Sequence, residues 1–184
     1  MLSSVGRGRD ELMEKWDIFD ASGRITGKTV VRGNVRLNVG EYHLVVHIWL
    51  LTPDGRIVIQ RRADDKELMP GEWAAIGGAA VSGETSKVAA KRELLEEMGI
   101  DVKDDQISLI KRIVRKNSFV DIWLARVDIT LGELTLQKSE VAEANWVTVD
   151  EFEKMVKQNN FHNYGNDYFD IVINALRNHG GNRL

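Results

Sequence analysis

Residues 78–100 read GAAVSGETSKVAAKRELLEEMGI, and this stretch decides the fold. Thr85 to Met98 has helical spacing. Thr85 or Ser86 can cap its start through a side-chain oxygen, and Gly99 can adopt the left-handed conformation that ends a helix. At about 100° per residue, Glu97 lies about 40° to one side of Glu93 and Glu96 about 60° to the other. Three carboxylates therefore share one arc of roughly 100°. Ala90, Leu94 and Met98, flanked by Leu95 and Val88, lie on another arc and form the expected buried side. Neighbouring like charges repel, and Arg92 before Glu96 offsets this only weakly, because Arg N-terminal to Glu is the poorer order. A divalent cation offsets it better. Mg²⁺ is hard, prefers oxygen, and is held by a few carboxylates with water and substrate phosphate completing its shell. For an isolated acidic cluster, a solvated helix face would be the stronger reading.

This cluster is not isolated. Gly78 is followed after five residues by Glu84, after seven more by Arg92-Glu93-Leu94, and after single gaps by Glu96-Glu97 and Gly99-Ile100. Every position matches GX5EX7REUXEEXGU, where U is a bulky aliphatic residue. A chance match at a given start is on the order of one in a billion. The segment resembles the signature of the Nudix hydrolase superfamily, the MutT-related enzymes. The resemblance implies a loop–helix–loop in which Glu93, Glu96 and Glu97, with the carbonyl of Gly77, bind Mg²⁺, Mn²⁺ being a possible substitute. It implies that Arg92 orients glutamates, Glu84 among them. The metal would activate water to attack a phosphoanhydride. A glutamate takes the proton: Glu93 is the first choice, and Glu140 and Glu143, in a loop before the last strand, are the alternatives.

Outward from this segment the pattern is mixed β with a helical C-terminus, an α+β sandwich in which a mixed sheet lies between helices. Lys15 to Asp20 and Arg24 to Val31 read as a hairpin around Ala21-Ser22-Gly23. Residues 1–35 are thus expected to be an N-terminal extension carrying a β-hairpin, and 36–184 the Nudix domain. Residues 1–11 are polar and Gly-containing and are expected to be poorly ordered. His43 to Leu51 is apolar and β-branched, a central strand; Thr52-Pro53-Asp54-Gly55 is a turn, and Arg56 to Gln60 pairs back. Ala74 to Val81 reads as a strand of small residues. Ile107 to Arg115 and Phe119 to Ile129 form a hairpin, Ala144 to Val149 a last strand, and Asp150 to Gln158 and Asp167 to Asn178 two helices.

Composition excludes several classes. The chain has 184 residues, 43% hydrophobic and 29% charged, which suits one domain with a packed core. A net charge of −3 argues against a nucleic-acid backbone as partner. There is no cysteine, so disulfides, cysteine–zinc sites and cysteine nucleophiles are excluded. No stretch reads as a signal peptide or membrane span, and a cytoplasmic location is the default expectation. The expected partner is a small diphosphate substrate, and a homodimer is possible, since dimers are common in the family.

Glu41 to His47, Ile59 to Arg62, Lys66, Pro70 to Trp73 and the Trp16-Asp17-Ile18-Phe19-Asp20 element are similar to the branch containing type I isopentenyl diphosphate isomerase and its bacterial hydrolase relatives. The isomerase needs a cysteine acid/base near Gly77 and a metal-binding histidine near Ala79, and both are missing here. Only His43 lines up with one of its metal-site histidines. A hydrolase on an isomerase-like chassis is the resulting expectation, with the isomerase and a non-catalytic ligand-binding module as alternatives. Arg61, Arg62 and Lys66 are candidates for holding phosphate oxygens. His43 is a candidate pocket residue, and His47 is expected to be a satisfied core histidine. Trp73, Trp123, Phe119 and Tyr42 are expected mostly in the core.

Overall fold

A computed structural model of the protein describes residues 14–33 and 36–180. The expectation for residues 1–11 lies outside them. The chain opens with the antiparallel pair β1 (Lys15–Phe19) and β2 (Ile25–Val31). Their turn is built by Asp20, whose carboxylate accepts from the backbone N–H of Ser22 (2.8 Å) and Arg24 (3.1 Å). Next come β3 (His43–Leu51), β4 (Arg56–Arg62), β5 (Trp73–Ala74), β6 (Ile76–Ala79) and the helix α1 (Ser86–Met98). The hairpin β7 (Ile107–Val114) and β8 (Ser118–Arg126), a single 3-10 turn at Leu131–Glu133, β9 (Val141–Thr148), α2 (Val149–Lys157) and α3 (Asn166–Gly180) complete the fold.

The main sheet has seven strands, ordered β5-β4-β3-β8-β7, with β6 also on β3 and β9 on β4. β3 and β8 run parallel. β3 and β4 pair only near their turn, through Leu50–Val58 and Leu51–Ile57, and then splay apart. The segment 73–79 fills the splay: β5 pairs with β4, and β6 pairs with β3. The single strand expected over Ala74 to Val81 is therefore two, because the chain changes partner at Ala75. That wedge places the Gly77–Gly78 backbone between the two halves of the sheet, under the N-terminal part of β3.

Two cores lie on opposite faces, and strand alternation assigns them. Leu44, Val46, Ile48 and Leu50 of β3 meet α1 residues Ala89, Ala90, Leu94 and Met98. Trp49 and Leu51 face the other way, onto Phe152 of α2 and Tyr168, Phe169, Val172 and Leu176 of α3. The sheet is sandwiched as expected. Thr85 caps α1, its side chain accepting from Val88 N–H, and Gly99 closes it at φ 72°.

The expected buried side of α1 needs correction. Val88 and Leu95 are exposed, whereas Glu93 and Glu97 are buried beside Ala89, Ala90, Leu94 and Met98. Those six residues span one half of the helix, and Val88 and Leu95 lie opposite. The acidic and apolar arcs overlap because the helix sits across the open end of the splay. β9 also begins earlier than expected, at Val141, because it pairs along all of β4 from Arg56 to Arg62. β8 ends at Arg126, before the expected Ile129.

Candidate active site

Arg92 is the hub of the α1 surface. Its Nε donates to Glu84 Oε1 (2.7 Å) and one terminal nitrogen to Glu84 Oε2 (3.0 Å), a bidentate fork. That same nitrogen reaches the carbonyl of Ala79 (3.1 Å). The other donates to Glu93 Oε1 and Glu96 Oε2, both at 2.9 Å. Glu84 also accepts from Val81 N–H (3.0 Å), which closes the loop before the helix. The surrounding carboxylates push the guanidinium pKa upward, so Arg92 is a fixed positive charge.

Glu97 lies deeper, 3% exposed, with Glu93 beside it at 8%. Glu97 Oε2 accepts from Gln60 Nε2 (3.0 Å) and Gly77 N–H (3.3 Å). Gln60 Nε2 donates as well to the carbonyl of Ala75 (3.1 Å), at the point where the wedge changes strands. Burial, then the charge of Glu93, pushes the Glu97 carboxyl up to about 8, against the two donors. Burial also raises Glu93, with Arg92 opposing. The glycines are required by space. A Cβ on Gly77, at φ 148°, would overlap the carbonyl oxygen of Val46; one on Gly78 would stand 2.5 Å from Glu93 Oε1.

A cavity of about 330 Å³ opens above these groups. Glu93, Glu96, Glu97, Arg92 and Gly77–Gly78 form one side of it, Arg62 and Glu140 line it further along, and Glu14, Trp16, Arg32 and His43 also contribute. Of the residues suggested by sequence, Glu84 stands behind the cavity, holding Arg92. Arg61 is not among the lining residues; it pairs with Asp64 (2.8 Å) and Glu143 (3.5 Å) on the opposite face of β4. Lys66 is likewise not a lining residue, and binds Glu140 at 2.6 Å. His43 lines the cavity with its ring stacked on Trp16 (4.3 Å between centroids), and burial holds its pKa down to about 4. His47 is satisfied, its Nδ1 2.9 Å from Tyr168 Oη, yet it also borders the cavity.

Sequence reasoning missed Gln60, Arg32, Trp16 and Glu14 as site residues. Gln60 had a signal: it is a polar residue on the inward-facing register of a buried strand, where such a group must find a partner. Arg32 had none, since only the docking of the β1–β2 hairpin, chiefly through β1, brings it to the cavity.

The residues present fit a hard divalent cation. Their donors are carboxylate oxygens, two of them on side chains withdrawn from water, and Gln60 Oε1 is a buried oxygen with no partner among the described residues. No three acidic or imidazole side chains among the described residues are already gathered as a cage. Arg92 holds Glu93 and Glu96, so a cation must compete with that guanidinium for them.

Fold and cleft together define a class: an α+β sandwich whose loop–helix–loop presents clustered glutamates beneath a cavity of small-molecule size. The comparisons give its family. The NUDIX domain matches residues 41–165. An uncharacterized Nudix hydrolase of Listeria monocytogenes is 39% identical over 150 residues, 81% of this chain and 88% of that protein. Among solved structures, a Deinococcus radiodurans protein superposes with a TM-score of 0.72 at 21% identity, covering 89% of this chain and 99% of its own. A MutT protein of Methanosarcina mazei gives 0.56 at 19% identity, covering 76% and 96%. The chain belongs to the Nudix hydrolase family. No helix among the described residues is long and apolar enough to cross a membrane.

Proposed function

We propose that the protein hydrolyses a phosphoanhydride bond in a small diphosphate-containing molecule, a nucleoside diphosphate-linked compound or a related diphosphate, with Mg²⁺ as its cation. The observation that carries this reading is the pair of buried carboxylates, Glu93 and Glu97, side by side under the Gly77–Gly78 backbone in a chain of this family. Glu93, Glu96 and Glu97, with the Gly77 carbonyl, would hold the cation, which supplies polarisation of phosphate oxygens and acidification of water. Arg92 keeps Glu93 and Glu96 on the cavity side and is itself anchored by Glu84. Gln60 and the Gly77 N–H orient Glu97. Glu93 is the proposed base, and Glu140, held at the cavity by Lys66, is the alternative. Arg62, which lines the cavity, would face substrate phosphate.

Incubation with Mg²⁺, or Mn²⁺ in its place, and a panel of diphosphates should release phosphate or a nucleoside monophosphate. Glu97→Gln should lower turnover by about 100- to 10,000-fold without lowering the melting temperature of the cation-free protein near neutral pH, because burial already keeps that carboxyl neutral there and the amide oxygen can accept the same two hydrogen bonds. Undiminished turnover in that variant would sink the reading. Isomerised prenyl diphosphate without release would transfer the case to the isomerase, and binding without turnover to a ligand-binding module.

A further inference from the structure

We propose that Arg32, carried at the end of the β1–β2 hairpin, contacts the substrate's diphosphate and makes that hairpin one wall of the active site. The inference rests on reading the cavity as a diphosphate site. Such a ligand is polyanionic, and its phosphate oxygens favour a guanidinium contact in addition to the cation. The other cations are less free to add one. Arg61 and Lys66 do not line the cavity and are paired with carboxylates. Arg62 lines it, but its side chain is only 12% exposed and its Nε donates to the carbonyl of Leu68 (3.1 Å). Arg92 is spent on Glu84, Glu93, Glu96 and Ala79.

Arg32 differs. Its side chain lines the cavity, is 57% exposed, and has one ion-pair partner among the described residues, Glu14 at 2.7 Å. A guanidinium has five N–H donors in a rigid fork, so one carboxylate leaves donors for phosphate oxygens. Glu93 and Glu140 both act on the charge of Arg32, which places it within electrostatic reach of the acidic cluster.

The hairpin that carries Arg32 is pinned in place. The Asp17 carboxylate accepts from Ser82 Oγ (2.6 Å) and Gly83 N–H (2.8 Å), and Ser82 N–H donates to the Lys15 carbonyl (2.7 Å). These bonds fasten β1 to the loop that supplies Glu84. Phe19 and Tyr42 exchange two backbone hydrogen bonds (2.8 and 3.0 Å), and Trp16 stacks on His43 with an interplanar angle of 12°. Arg32 N–H donates to the Glu14 carbonyl (2.7 Å), so the backbone fixes the same pair that the side chains form. The guanidinium is thus preorganised on the glutamate cluster's own scaffold.

The test measures binding of methylenediphosphonate, which has no cleavable P–O–P linkage, by calorimetry in Mg²⁺, alongside the kinetics on any hydrolysed diphosphate. Arg32→Ala should weaken binding and raise KM by about 10- to 100-fold, with kcat changed far less. Arg32→Lys, which keeps the charge but loses the fork, should fall between. If Arg32→Ala does not fold, Arg32→Lys carries the test. Equal affinity in variant and parent overturns the proposal, as does a parent protein that fails to bind the probe. Binding that depends on Arg32 without turnover of any diphosphate would remove hydrolysis and leave the Arg32 contact standing. Turnover with unaltered KM in the Arg32 variants would do the reverse.

Discussion

Glu97 is a carboxylic acid withdrawn from water with Glu93 beside it, and this predicts how the protein responds to pH. Its pKa is pushed from 4.5 to about 8, so between those values the folded state holds a proton that the unfolded state releases. Stability from this group is complete below pH 4.5 and is lost as pH rises through 8. His43 and His47, held down to about 4 and 3 by burial, act in the opposite sense, but only below their ordinary value of 6.5. From pH 6.5 to 8, Glu97 therefore dominates. Without divalent cation, the melting temperature should fall by about 3–8 °C across that window, at up to about 1.4 kcal/mol per pH unit. Saturating Mg²⁺ should flatten the curve, because a cation replaces the proton. Melts at four pH values, with EDTA and with Mg²⁺, check this. A fall that persists in Glu97→Gln would assign it to another group. At this scale the sequence was legible where spacing along one helix fixes geometry, as for Arg92, Glu93, Glu96 and Glu97. Gln60 reaches Glu97 through strand pairing, and Arg32 reaches the cavity through docking of the hairpin, neither of which local spacing encodes.

Elements are joined at this site by a buried relay of polar groups. Trp49 Nε1 donates to Tyr168 Oη (3.2 Å), and the same hydroxyl is hydrogen-bonded to His47 Nδ1 (2.9 Å). Burial holds the His47 pKa down, so the ring is neutral at physiological pH. The relay ties α3 to β3. Tyr168→Phe would keep the ring but leave the Trp49 N–H and His47 Nδ1 unpaired, and should cost about 2–4 kcal/mol and lower the melting temperature by about 5–15 °C. Urea denaturation measures the first figure; a change under about 0.5 kcal/mol would mean that water replaces the hydroxyl. The limits of β3 were read correctly from a strongly apolar, β-branched run, and those of α1 from its cap and terminal glycine. The break at Ala75 was not, because small apolar residues read alike whichever strand they pair with. β9 was started too late because Val141-Ala142-Glu143 is extended by its pairing with β4, not by its own composition.

At the scale of the molecule, the hairpin is the open question, since a boundary after residue 35 would make it an appendage. Its contacts argue otherwise. Ile18 is fully buried, and Phe19 belongs to the core beneath α1, edge-on to Phe119 at 6.2 Å. Lys28 pairs with Glu41 (2.7 Å), and Asp17 holds the loop before α1. Burying the Ile18 and Phe19 side chains contributes about 3–6 kcal/mol by area, a large part of what holds a domain folded. We therefore expect the whole chain to unfold in one transition. A fragment spanning 36–184 should melt roughly 10–20 °C lower and expose the apolar surface that Phe19 covers, which a hydrophobic dye reports. A fragment that melts with the parent would establish the hairpin as separable. It would also remove the fixed platform on which Arg32 depends, so the two measurements constrain each other.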